Sequence, residues 1–172
     1  MKKIFSILTI ACLILLLCGC KKEMDLSMNN YLKVSEKYKL LISNTEEVKK
    51  GLTDTYNNNK EANEAAGIVL EDVLNLYKEY YVASGTDYDV MYIESSSDEN
   101  SKKIYELAIP KKENLTDIKT YETNTYDNYE EYLVIADGKY DYAIKYGNTI
   151  INFYGNVERE DEIKKIKAEF GL

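Results

Sequence analysis

Tyrosine sets the chemical repertoire of this chain: 17 of 172 residues are Tyr, while Trp and His are absent. A tyrosine ring offers rigid, amphipathic contact area suited to sugars or protein partners, and its phenol is a poor proton carrier near neutral pH. Eight of the tyrosines fall between Tyr121 and Tyr154. Tyr140, Tyr142 and Tyr146 alternate with other residues in apolar runs and read as core. Tyr121, Tyr126, Tyr129 and Tyr132 lie in or beside a polar connection where no pattern forces burial, so they are the candidate binding surface.

The remaining functional groups point away from catalysis. Without His, the chain lacks the commonest metal ligand and the side chain best tuned for general acid–base work. It has no Cys–His or Ser–His pair, no Gly-x-Ser-x-Gly elbow and no Ser-x-x-Lys. Tyr56 and Lys60 satisfy Tyr-x-x-x-Lys, but among asparagines and outside any nucleotide-binding βαβ unit. Adjacent carboxylates such as Glu130 and Glu131 would suit a glycosidase, yet 30 acidic residues generate such pairs by chance. Asp87 with Asp89, and Asp98 with Glu99, would suit calcium, but neither has the ligand series and glycine of an EF-hand loop. Phosphate-binding glycine loops are absent. The expectation is a non-enzyme with no catalytic residues, no metal and no cofactor.

Three cysteines occur, Cys12, Cys18 and Cys20, all near the N-terminus. Residues 1–3 are positively charged, 4–17 are apolar except for Ser6, Thr9 and Cys12, and small residues follow. That is the three-part layout of a secretory signal, with an apolar run short of the ~20 residues of a stable span. The tetrapeptide Leu17-Cys18-Gly19-Cys20 resembles the lipobox of bacterial lipoproteins, with Cys18 standing where Ala or Ser is more usual. The resemblance covers about the first 20 residues and implies that a diacylglycerol is attached to Cys20 and the chain is cut before it. The expected product is a lipid-anchored protein on the extracytoplasmic face of the cell membrane. It comprises a signal peptide (1–19), a lipidated tether (20–30) and a single domain (31–172).

Loss of Lys2 and Lys3 with the signal leaves 20 basic residues against 30 acidic, a net charge of −10. Such a surface repels nucleic acid and anionic headgroups, so attachment must come from the lipid. With Cys20 consumed by that lipid, no disulfide framework remains.

The elements that must position the tyrosines are read from periodicity. Tyr31, Val34, Tyr38, Leu41, Thr45, Val48 and Leu52 keep a heptad spacing, predicting one helix or two joined near 43–45, with a break around 53–59. Residues 62–82 carry a broad apolar stripe and predict the strongest helix. Residues 88–94 and 103–109 predict strands around a serine-rich loop, and 111–131 a connection with at most short helical turns. In 132–154, Asp137-Gly138 and Gly147-Asn148 each signal a hairpin turn. Pairing Ala136 with Lys139 and Tyr146 with Thr149 gathers Leu133, Ile135, Tyr140, Tyr142, Ile144, Tyr146, Ile151 and Phe153 on one face. A last helix, acidic at its start and basic at its end, offers Ile163, Ile166 and Phe170 to cover that face. The fold class is α+β: N-terminal helices, an antiparallel sheet of about five strands including a C-terminal three-stranded meander, and a covering C-terminal helix.

On these grounds the chain is expected to be a non-catalytic binding or adaptor lipoprotein for a protein or envelope component, and not a nucleic-acid binder. The alternatives are a small-molecule or peptide receptor and, third, an envelope hydrolase.

Overall fold

The computed structural model describes residues 23–172, and the signal and Cys20 lie outside them. In chain order the elements are α1 (Met28–Lys37), β1 (Leu41–Ser43), α2 (Thr45–Asn58), α3 (Lys60–Ala65), α4 (Leu70–Leu74), β2 (Tyr77–Ser84) and β3 (Tyr88–Ser95). There follow α5 (Asp98–Ala108), β4 (Ile118–Thr125), β5 (Glu130–Ala136), β6 (Lys139–Tyr146), β7 (Thr149–Asn156) and α6 (Glu160–Ala168). Seven strands make one antiparallel sheet in the order β1-β2-β3-β7-β6-β5-β4. The protein is therefore α+β, with two more strands than the sequence predicts.

The C-terminal meander forms in the expected register. Ala136 pairs with Lys139, Leu133 with Tyr142, Tyr142 with Phe153 and Tyr146 with Thr149. Asp137 and Gly138 take φ of 51° and 73°, and Gly147 takes 56°, the left-handed values that tight hairpins require.

Both faces of the sheet are covered. On one, Tyr88, Val90, Tyr140, Ile144, Ile151 and Phe153 are buried beneath α1 (Tyr31, Val34) and the C-terminal segment (Ile163, Ile166, Phe170). The Phe153 and Phe170 rings meet edge-on at 5.7 Å. Ile163, Ile166 and Phe170 are fully buried, the covering role expected of them. On the other face α5 covers Ile93, Tyr132, Val134, Ala136, Ala143 and Ile150. Tyr146, expected on the buried face, is 45% exposed at the sheet's end.

Several elements differ from expectation for identifiable reasons. The predicted helix over 62–82 is two short helices and then β2: Tyr77, Tyr80, Tyr81 and Val82 lie in a strand covered on both sides, which reads as a continuous apolar run. The predicted strand over 103–109 is α5, capped by Ser97, whose Oγ accepts from the Asn100 amide at 3.1 Å. The connection over 111–131 contains β4, a polar edge strand. The junction near 43–45 is the short strand β1, Asn44 starts α2 with a reciprocal capping box to Glu47, and the break expected around 53–59 is confined to Asn59, between α2 and α3. The segment expected as tether enters the fold early: Leu26 is buried, and the Asp25 amide donates to the Phe170 carbonyl at 2.9 Å.

Candidate functional site

Strand alternation divides the four candidate tyrosines between the two faces. Tyr132 sits on the α5 face and is 1% exposed, so it belongs to the core and not to a surface. Its ring lies 5.7 Å from that of Tyr105, and its hydroxyl is 3.0 Å from Asp141 Oδ1. Asn152 Nδ2 donates to the same Asp141 oxygen at 2.8 Å. Tyr121 is half-buried on that face, where its hydroxyl donates to the Pro110 carbonyl at 2.9 Å and pins the chain after α5.

Tyr126 and Tyr129 come together instead. They flank the β4–β5 turn, where the Tyr126 amide donates to the Tyr129 carbonyl at 2.9 Å, and their rings stack at 4.3 Å with 22° between planes. Tyr126 is 46% exposed. Its hydroxyl donates to Glu131 Oε1 at 3.3 Å, while Tyr142 donates to Glu131 Oε2 at 2.7 Å. Lys167 Nζ stands 3.3 Å from the centroid of the Tyr142 ring.

These groups border a cleft of about 350 Å³ whose wall includes Met24, Tyr129, Glu131, Tyr142, Lys167 and Leu172. A second cleft of about 450 Å³ shares Met24 and reaches Asn128, Tyr146 and Thr149. Both open at the end of the sheet that carries the β4–β5 and β6–β7 turns. Burial pushes the Lys167 ammonium below the ordinary lysine value, opposed by the nearby Glu131 carboxylate. Burial and the hydrogen bond to Glu131 push the Tyr142 phenol far up, so it is a neutral donor at any physiological pH. The site thus presents stacked aromatic area, a carboxylate held by two phenols, and an ammonium across the cleft.

The three other carboxylate pairs singled out in the sequence take structural places. Glu130 and Glu131 point to opposite faces, the former 3.5 Å from Lys145 Nζ, so the adjacent carboxylates do not converge. Asp87 pairs with Arg159 at 3.6 Å and Asp89 accepts from Ser84 Oγ at 2.6 Å. Asp98 and Glu99 form the first turn of α5, with Glu99 2.8 Å from Lys103. Among the described residues no three carboxylates or cysteines gather as a metal site. Nor is any described helix long and apolar enough to cross a membrane.

Lys167 is the site residue that sequence reasoning passes over. It lies one turn after Ile163 and one before Phe170, on the flank of the buried stripe, and that spacing is its only signal.

No family model and no curated protein matches this chain. The crystal structure of a GTP-binding regulator from Thermotoga maritima is similar over 54% of this chain and 64% of its own, at 15% identity and a TM-score of 0.37. The present chain spans less than two thirds of that protein's length.

Proposed function

We propose that the chain is an extracytoplasmic lipoprotein, tied to the cell membrane by a lipid on Cys20, whose domain binds a protein or envelope component without catalysis. The lipobox-like Leu17-Cys18-Gly19-Cys20 carries the anchoring part of this reading. Two surfaces support the binding part. One is the exposed Tyr126–Tyr129 stack beside its cleft. The other is the excursion α2–α4, which buries none of its residues and exposes Ile68 (42%) and, just before α4, Val69 (53%). Thirty residues that contribute so little to their own core are better explained by a partner than by stability.

The test is in-cell photo-cross-linking from positions 69 and 126, with the Cys20→Ala chain as the unanchored control. The expected outcome is a partner that recurs with the wild-type leader and disappears with Cys20→Ala. Absence of any recurrent product from either position would overturn the binding part. An unmodified Cys20 mass in membrane extracts would overturn the anchoring part.

The opposed charges of Glu131 and Lys167 across one cleft favour a second reading, a receptor for a small zwitterionic molecule or peptide. A ligand-dependent rise in melting temperature that Glu131→Gln abolishes would distinguish it.

A further inference from the structure

We infer that the end of the sheet bearing Tyr126, Tyr129 and Tyr146 rests against the bilayer surface as an aromatic footing for the anchored domain, leaving the α2–α4 excursion for a protein partner. This rests on the reading that Cys20 carries a lipid, and it names the occupant of one of the two surfaces described above.

The length of the leash makes the case. From Asp25 onward the chain is fixed: its amide bonds the Phe170 carbonyl, Leu26 is buried, and Ser27 caps α1 by accepting from the Asn30 amide. Five Cα steps separate Cys20 from Asp25, which fully extended reach at most about 18 Å. Glu23, Met24 and Asp25 line the same cleft as Asn128, Tyr146 and Thr149, so the leash leaves the domain at the tyrosine end. The strands are eight residues long on β3, β6 and β7, about 26 Å from end to end. Turning the opposite end, with its 85–87 and 137–138 turns, toward the bilayer would need a leash longer than the one present.

The chemistry of that end fits a lipid interface. Tyr146 and Tyr126 expose 45% and 46% of their surface, and tyrosine concentrates at the headgroup level, where its ring meets acyl chains and its hydroxyl meets water. The charges around it are mixed and mostly acidic: Glu23, Asp25, Asp127 and Glu131, with Lys167 in the cleft, and Lys21 and Lys22 precede them in the sequence. The footing therefore suits zwitterionic headgroups and gains nothing from anionic ones.

The chain lacks Trp, so a single Trp introduced at Tyr126, Tyr146 or, at the far end, Tyr154 is a sole reporter. Each lipidated full-length variant is placed in phosphatidylcholine vesicles carrying brominated acyl chains. Tyr126→Trp and Tyr146→Trp should lose about half of their emission or more, a depth consistent with an interfacial ring, and Tyr154→Trp should lose little. Vesicle-bound protein in which positions 126 and 146 are quenched no more than 154 would overturn the footing while leaving the anchor intact. Protein that does not float with the vesicles, and shows no lipid mass on Cys20, would remove the anchor and the footing with it.

Discussion

Asp141 faces α5, where Asn152 and Tyr132 reach the same carboxylate oxygen. Burial raises its pKa despite those bonds, which pull it down. An acid that holds its proton more tightly when folded stabilises fully below its unfolded value near 3.9, and that contribution fades as pH rises through the folded pKa. Asp137 has the opposite sign: the Asp117 amide and the Thr116 hydroxyl bond its carboxylate and lower its pKa. Its contribution is present above the unfolded value and lost as pH falls through the folded one. Urea melts over a pH series should show Asp141→Asn gaining on wild type as pH rises above about 4, and Asp137→Asn flattening the acid limb. A pH profile unchanged by either variant would contradict both assignments. Ser101 offers a simpler case. It is fully buried in α5, and its hydroxyl finds no hydrogen-bond partner among the described residues. Ser101→Ala removes that unmet group and favours the helix, so it should stabilise by about 1 kcal/mol in chemical denaturation. Residue roles of this kind were half legible. Tyr140 and Tyr142 announced burial by alternation, but Tyr132 did not, because its strand neighbours Val134 and Ala136 mark the α5 face only once α5 is known to cover it.

Elements were legible where local chemistry was unambiguous. Asp137-Gly138 and Gly147-Asn148 admit few backbone paths, and the two registers they set agree on one buried face. The stretch 77–82 has no such punctuation. Tyr77, Tyr80 and Tyr81 satisfy helical spacing as well as a strand buried on both sides, and period alone does not separate them. For α5 the signal existed in Ser97 followed by Asp98 and Glu99, a cap with acidic first-turn residues, yet the serine-rich composition around it reads as loop. The α2 helix has the strongest cap of all, since Asn44 accepts from the Glu46 and Glu47 amides while Glu47 accepts from the Asn44 amide. Because α2 buries nothing, the cap should act locally. Asn44→Ala is expected to speed amide exchange over 46–58 by about tenfold with little change in global melting temperature. A drop in melting temperature that matches the exchange effect would mean that α2 unfolds with the sheet and is no separate excursion.

The whole molecule is two antiparallel halves joined at one seam. β1, β2 and β3 lie on one side, β4 to β7 on the other, and among the described residues the β3–β7 pairing is the strand ladder that joins them. Gly155 sits at that seam opposite Tyr88. A Cβ there would meet Tyr88 Cβ at 2.4 Å, Tyr88 Cα at 2.9 Å and the Asp87 carbonyl at 2.9 Å, and none of these is a flexible end that can move aside. Gly51, within α2, has nothing within 4 Å. The same chemical change should therefore have opposite signs at the two sites. Gly155→Ala is expected to cost about 3 kcal/mol, because the seam must part to admit a methyl group. Gly51→Ala should gain up to about 1 kcal/mol by relieving a helix-interior glycine. Denaturant unfolding followed by far-ultraviolet circular dichroism measures both. If the halves fold as one unit, Gly155→Ala shifts a single transition to lower denaturant with its slope unchanged. If the seam is a weak joint, that variant splits the transition, and the half carrying the tyrosine footing melts separately from the half carrying α2–α4. Equal and small effects at both glycines would mean that β3 and β7 are less closely apposed than the distances at Gly155 describe.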